Sequence, residues 1–100
     1  MFAIVVRFDL LDPAAAARFD ALTADLLPRI AADEPGTLVY TVHTVNDAPL
    51  SRVFYECYAD EDAWRAHEAY PHTRYFLDTK DALLSGAQAV FLTPTGGTGV

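Results

Sequence analysis

Cysteine, basic residues and long apolar segments are all scarce in this sequence of 100 residues. The single cysteine, Cys57, excludes an internal disulfide and a cluster of thiolates for structural zinc. Lys and Arg number 7 against 14 Asp and Glu, which gives a formal net charge of -7. Because an acidic surface repels phosphate backbones and anionic lipids, we expect neither nucleic acid nor membrane as a partner. The cysteine content favours a reducing, cytoplasmic location.

The apolar segments are also too short for a signal peptide or a membrane span. The first run ends at Arg7 and is soon followed by Asp9 and Asp12, so we expect neither feature there. Hydrophobic residues make up 52% of the chain, with 5 Gly and 6 Pro, which is typical of one compact domain. We expect that domain to span residues 1–94, with a flexible C-terminal tail at 95–100.

The order of apolar segments and breakers predicts four strands and two helical regions. Asp12-Pro13 marks the start of a first helix, with a kink or an early end expected at Pro28. Its apolar stripe comprises Ala15, Phe19, Leu22, Leu26 and Ile30. The second helical region is predicted as two pieces, 61–69 and 72–84, separated by Pro71 and ended by Ser85-Gly86. Strands are predicted at 2–9, 37–45, 51–59 and 87–93.

This βαββαβ order predicts an α+β fold, a ferredoxin-like four-stranded antiparallel sheet with the helices on one face. Both alternating sets of residues on the first strand are apolar, since Ile4 and Val6 point one way and Ala3 and Val5 the other. Because helices cover only one face, we expect the second face to pack on another copy of the chain in a homodimer. The alternative is a monomer with a partly apolar open face.

Two segments carry a resemblance to a known family. They are EPGTLVYTVHTV and FYECYADEDAWRAHEAYPHTRYF, and their most specific positions are Glu56, Tyr58, Ala63, His67, Pro71-His72 and Phe76. Here the chain resembles the antibiotic biosynthesis monooxygenase family. The resemblance implies a dimeric α/β barrel with a ligand cavity between the sheet and the helices. Its members include cofactor-free oxygenases of quinols or anthrones, haem-degrading enzymes, isomerases and proteins without known catalysis.

The resemblance does not carry over every mechanism of the family. Members that oxidise aromatic polyketides use an asparagine, a tryptophan and a tyrosine at the positions of Phe54, Tyr58 and Trp64. Phe54 cannot form the hydrogen bonds of an asparagine amide. Haem-degrading members bind iron through a histidine where this chain has Leu77. We therefore expect no haem and no other cofactor.

Alternation on the third strand places Phe54, Glu56 and Tyr58 on one face, and the resemblance implies that this face lines the cavity. A carboxyl group among aromatic rings has a raised pKa, so Glu56 is a candidate general acid or base. The alternative is a structural Glu56 that pairs with a backbone amide or with one of three side chains, Arg7, Arg52 or His67.

His67 is the main catalytic candidate. It follows Trp64 by three residues on the predicted helix, so both can face the sheet. Because imidazole titrates near neutral pH, we predict that His67 is a general base oriented by Glu56. The alternative is a histidine that ties the helix to the sheet.

Further substrate-binding residues are predicted around this pair. They are Phe54, Tyr58, Trp64, His72 and Tyr40, where His72 has the alternative of capping a helix. Tyr40 and His43 alternate on the second strand, so only one of them shares the side of Glu56, and the sequence leaves open which. No metal site is expected, because His67 and His72 are separated by a proline and lack a third ligand.

Together these features predict a cofactor-independent monooxygenase that uses dioxygen on a small aromatic quinol, anthrone or similar ionisable phenol. The deprotonated substrate would itself supply the electrons, so the protein need only bind, deprotonate and exclude water. Two alternatives remain. One is a non-catalytic dimer that binds a small ligand or stabilises a partner, and the other is a cofactor-free isomerase.

Overall fold

The computed structural model describes residues 1–99 and contains one four-stranded antiparallel sheet in the order β2-β3-β1-β4. The strands are β1 (Phe2–Leu10), β2 (Thr37–Val45), β3 (Ala48–Tyr58) and β4 (Leu84–Leu92). The helices are α1 (Pro13–Asp33), α2 (Glu61–Ala69) and α3 (Pro71–Lys80), and a 3-10 turn, Asp81–Leu83, follows α3. This arrangement confirms the predicted α+β, ferredoxin-like fold.

The predicted C-terminal tail reaches residue 100, which lies outside the described residues. Within residues 1–99, none of the helices combines the length and the apolar character that crossing a membrane requires.

Helix α1 begins as predicted but does not end at Pro28. The side chain of Asp12 accepts a hydrogen bond from the Ala15 backbone N–H at 2.8 Å, and Pro13 occupies the first turn. Of the kink or early end expected at Pro28, the early end is wrong, because the helix continues to Asp33. Pro28 lies on the exposed side of α1, where water can solvate the carbonyl that proline leaves without a donor.

The start of β4 also differs from the prediction. α3 ends at Lys80, and the chain re-enters the sheet at Leu84 rather than at residue 87. Leu84 pairs with Leu10 and Gly86 pairs with Asp9 across a register shift. The Ser85-Gly86 pair therefore belongs to a bulged strand and does not end a helix.

All three helices pack on the same face of the sheet. Four phenylalanine rings form the centre of this core: Phe8 lies 4.9 Å from Phe54 and 5.2 Å from Phe19, and Phe76 lies 6.0 Å from Phe54 between ring centroids. Aromatic packing of this kind anchors α1 and α3 against β1 and β3.

The opposite face of the sheet is not covered by any element of the described residues. Cross-strand pairing places Tyr55, Val5 and Val90 in one row of this face. A neighbouring row contains Cys57, Ala3 and Leu92. Val90 and Leu92 are large apolar side chains exposed at the surface.

Candidate active site

A cavity of about 320 Å³, here called the inner cavity, lies between the covered face of the sheet and helices α2 and α3. Most of its lining is apolar or aromatic, including Ile4, Val6, Phe8, Phe54, Phe76 and Leu77. A few polar side chains also face it, namely Glu56, His67, Glu68, Thr73, Lys80 and Gln88. An apolar wall with few polar groups is typical of a small-ligand site.

The register of β2 against β3 decides which side chain shares the side of Glu56. Tyr40 pairs directly with Glu56, and its ring lies 5.4 Å from the His67 ring. His43 pairs with Val53 on the other face, where its Nδ1 lies 2.9 Å from the Val53 carbonyl oxygen. The structure therefore places Tyr40 and not His43 at the inner cavity.

Glu56 is buried beside Tyr58, whose hydroxyl donates to Oε1 of Glu56 at 2.5 Å. Burial raises the pKa of Glu56 to about 7, although the Tyr58 hydrogen bond acts in the opposite direction. The carboxylates of Glu68 and Glu34 raise it further. Burial, and secondly the charge of Glu56, raise the pKa of Tyr58 well above its ordinary value. The phenol therefore keeps its proton.

The arginines that could have paired with Glu56 have other partners. Arg7 contacts Asp9 at 3.2 Å, and Arg52 binds both carboxylate oxygens of Asp20 at 2.9 and 3.0 Å. The third candidate, His67, approaches Glu56 only to 4.0 Å, measured from Nε2 to Oε1. This distance is too long for a direct hydrogen bond.

The closest partner of His67 is Glu34, a residue that the sequence reasoning did not single out. Oε1 of Glu34 lies 2.7 Å from Nδ1 of His67 and also accepts from the Thr37 hydroxyl at 2.8 Å. The Glu34 side chain is only 2% exposed. A proton on Nδ1 of His67 satisfies this carboxylate and leaves Nε2 as the basic nitrogen.

Nε2 of His67 opens into the inner cavity. In residues 1–99, every side-chain nitrogen or oxygen that is fully buried has a hydrogen-bond partner. Nε2 of His67 has none, and Oε1 of Glu56 is 4.0 Å away from it. The nitrogen is therefore accessible to the cavity although His67 as a whole is buried.

His72 lies on the far side of Glu34. Its Nε2 is 2.5 Å from Oε2 of Glu34, and its ring stacks on Tyr70 at 5.1 Å. It lines a second cavity of about 590 Å³, here called the outer groove, between α1 and α3. His72 does not cap α3, whose N-cap residue is Tyr70, and it does not line the inner cavity.

Trp64 lies at one end of the inner cavity. Its ring stacks on Phe2 at 5.2 Å and meets Phe91 edge-on at 5.4 Å. Lys80, whose ammonium group lies 5.7 Å from the centre of the Phe8 ring, also lines the cavity. Lys80 gave no signal in the sequence beyond its place on the helix predicted at 72–84.

No cluster of three or more His, Cys, Asp or Glu side chains that could hold a metal ion occurs in the part of the chain that the structure describes. The structure places His67, Glu56, Tyr40, Phe54 and Trp64 in the wall of the inner cavity. Tyr58, predicted to bind substrate, contacts Glu56 and His67 but is fully buried and does not line this cavity. An imidazole with one tethered nitrogen and one free nitrogen can exchange a proton with a ligand in that cavity.

Comparison with known families decides the relationship that the sequence suggested. The family model for antibiotic biosynthesis monooxygenase matches residues 1–79. The chain belongs to this family. No curated protein matches the sequence.

Solved structures share the fold of this family member at low sequence identity. A Caulobacter crescentus protein that bears the same family name is 24% identical, with a TM-score of 0.88 over 95% of this chain and 90% of that one. Rv0793 of Mycobacterium tuberculosis is 22% identical, with a TM-score of 0.87 over 98% of both chains. A mutant of SnoaB, a cofactor-independent oxygenase of Streptomyces nogalater, is 23% identical, with a TM-score of 0.81 over 96% of this chain and 94% of that one.

Proposed function

We propose that this protein is a cofactor-independent monooxygenase that acts on a small aromatic quinol, anthrone or similar ionisable phenol. The observation that carries the proposal is the His67 ring, with Nδ1 bound to Glu34 and Nε2 open to an aromatic-lined cavity. Membership in the antibiotic biosynthesis monooxygenase family supports the reaction class. The likeness to SnoaB, described as a cofactor-independent oxygenase, supports the same class.

In the proposed reaction, Nε2 of His67 takes the acidic proton of the substrate and leaves an electron-rich anion. The anion passes one electron to dioxygen, and the substrate radical and superoxide then combine to form a C–O bond. For an anthrone, the resulting peroxide loses water and leaves a carbonyl group. One oxygen atom stays in the product, and the other leaves as water with both hydrogens of the CH₂ group.

The Glu34 carboxylate stabilises the imidazolium that forms when His67 accepts the proton. Glu56 is placed to exchange a second proton, because a pKa of about 7 leaves comparable amounts of acid and base at neutral pH. Lys80 places an ammonium group in the cavity wall, paired with Asp81 at 2.7 Å, where it favours an anionic substrate. Tyr40, Phe54 and Trp64 provide the surfaces that hold and orient a flat ring, whereas Tyr58 is fully buried and holds Glu56 through its hydroxyl.

We also propose that the open face of the sheet pairs with the same face of a second copy. The support is the apolar row of Tyr55, Val5 and Val90, which no element of residues 1–99 covers. A two-fold pairing of identical faces buries such a surface in both copies.

Oxygen consumption by the purified protein tests the proposed reaction, with a panel of naphthoquinols, anthrones and substituted phenols as substrates. We expect His67→Gln to lower kcat by roughly 100-fold or more, because it removes the base. The matched control is His43→Gln, on the opposite face of the sheet, which should keep the wild-type rate.

Two results would contradict this function. Product formation without oxygen would indicate an isomerase. Thermal stabilisation by the panel without any oxygen uptake would indicate a binding protein. Equal rates in wild type and His67→Gln would remove the proposed base.

A further inference from the structure

Glu34 bridges a residue of the inner cavity and a residue of the outer groove. Its Oε1 contacts His67, which faces the inner cavity, and its Oε2 contacts His72, which faces the outer groove. The Glu34 side chain is 2% exposed, and the side chains of His67 and His72 are 5% and 8% exposed. The two imidazoles are thus joined through the two oxygens of one buried carboxyl group.

At each end of this chain of hydrogen bonds, the outer ring nitrogen has no hydrogen-bond partner among the described residues. Nε2 of His67 is accessible to the inner cavity. Nδ1 of His72 forms no hydrogen bond within residues 1–99, yet every fully buried side-chain nitrogen in that range has a partner. Nδ1 of His72 is therefore accessible to the outer groove, which the ring lines beside Tyr70.

We propose that Glu34 and His72 form a proton path that connects His67 with water in the outer groove. This proposal rests on the proposed function, because it assigns a route to the proton that His67 takes from the substrate. Within the path, His67 is the catalytic base, whereas Glu34 and His72 act through it.

The transfer conserves protons without rotation of either ring. Before transfer, Nδ1 of His67 donates to Oε1 of Glu34, and His72 carries protons on both nitrogens. When Nε2 of His67 accepts the substrate proton, the proton on Nδ1 moves to Oε1 of Glu34, and His72 releases its Nδ1 proton to water. One proton thus enters at His67 and one leaves at His72. The reverse sequence restores the starting state.

Such a path lets the substrate lose a proton at one time and the peroxide gain one at a later time. The inner cavity is mostly apolar and offers His67 few other proton acceptors. With the path, the positive charge that His67 gains with the substrate proton leaves through His72 before dioxygen reacts, and a proton returns by the same route when Nε2 protonates the peroxide. Without the path, an imidazolium stays beside the anion that must give up an electron.

The first test uses His72→Ala in the oxygen-consumption assay. We expect kcat to fall by roughly tenfold or more while KM changes little, because His72 does not line the inner cavity. Added imidazole, which fits the space left in the outer groove, should restore kcat in a concentration-dependent manner. His72→Gln keeps a hydrogen bond to Glu34 but cannot relay, so it should be slow and should not respond to imidazole. His43→Ala is the control, with the wild-type rate and no response to imidazole.

The second test needs no substrate. Histidine ring nitrogens labelled with ¹⁵N report the protonation of each ring across a pH titration. The path predicts that His67 and His72 titrate together in the wild type and separately in Glu34→Gln. Other titratable groups face the two rings, and variants at these positions should leave the coupling in place. They are Tyr40, Tyr58, Glu56 and Glu68 around His67, and Arg29, Asp33 and Tyr70 around His72.

Three results would overturn the path: wild-type kcat in His72→Gln, a slow His72→Ala that imidazole does not restore, or rings that titrate independently in the wild type. If the wild type oxidises none of the panel, the proposed function fails, and the titration alone then decides whether the rings are coupled. A melting curve for each variant separates loss of folding from loss of transfer.

Discussion

The two buried carboxyl groups of the site, Glu34 and Glu56, differ in their surroundings. Glu34 accepts hydrogen bonds from Thr37, His67 and His72. Glu56 accepts one from Tyr58 and faces the inner cavity. A carboxylate with three donors is held in one orientation and can orient an imidazole in turn. A carboxyl group with one donor and an open side can exchange a proton directly with a ligand, whereas Glu34 can exchange protons only with its histidine partners.

Glu56 should make the stability of the protein depend on pH. Burial raises its pKa in the folded state from 4.5 to about 7, so the folded protein favours the protonated form. The resulting stabilisation is complete below pH 4.5 and is lost as the pH rises through about 7. We therefore expect Glu56→Gln to exceed the wild type in unfolding free energy at pH 8, by on the order of a few kcal/mol.

Urea denaturation at a series of values from pH 4.5 to pH 8 measures this effect. The difference between Glu56→Gln and wild type should be small at pH 4.5 and should grow towards pH 8. The control is Asp78→Asn, because the Asp78 carboxylate is 73% exposed. The difference in unfolding free energy between this variant and the wild type should stay constant with pH. If the difference in unfolding free energy between Glu56→Gln and the wild type also stayed constant with pH, the carboxyl group of Glu56 would ionise as readily in the folded as in the unfolded state.

At the scale of elements, the position of α2 depends on a close approach to the start of β2. A Cβ atom at Gly36 would lie 2.7 Å from the Cβ of Ala63 in α2, which is closer than carbon atoms can pack. The same helix carries Trp64 and His67. Glycine at position 36 thus lets α2 bring His67 within reach of Glu34.

We expect Gly36→Ala to lower the unfolding free energy by about 1–3 kcal/mol and to weaken catalysis, because α2 must move away from β2. Chemical denaturation and oxygen consumption measure the two effects. Gly86→Ala is the matched control, since the nearest atom to its added Cβ would be 4.0 Å away. Equal stability of the two variants would show that the approach of α2 is not a constraint.

The elements with strong local signals could be predicted from the sequence. The Asp12 cap, the Pro13 start and the apolar stripe of α1 specify a helix on their own. The element boundaries that were predicted wrongly depend on tertiary contacts. Pro28 is tolerated because its side of α1 is solvated, and β4 starts at Leu84 because β1 offers a partner there.

The site was predictable only in part, for the same reason. Alternation along β3 placed Glu56 and Tyr58 on one face, which the structure confirms, although only Glu56 lines the inner cavity. The choice between Tyr40 and His43 depends on the register of β2 against β3, which shifts between Thr37 and Val39. The sequence of one strand does not determine its register against a neighbouring strand.

At the scale of the whole molecule, the open face is the surface through which two acidic chains can meet. Each chain carries a formal net charge of -7, but the row of Tyr55, Val5 and Val90 contains no charged residue. The nearest acid along β1 on this face, Asp9, is paired with Arg7. Association through the apolar rows therefore avoids direct contact between like charges.

A lysine at Val90, on the edge strand β4 of this face, should dissociate the proposed dimer. We expect wild-type protein to sediment with about twice the chain mass of 10.9 kDa and Val90→Lys to sediment as a single chain, because the pairing would bury an ammonium group without a partner. Leu11→Lys is the control, because Leu11 is equally exposed but precedes α1, outside the sheet. It should remain dimeric. A monomeric wild type, or a dimeric Val90→Lys, would mean that the open face is not the contact. In the second case the chains must associate through another surface.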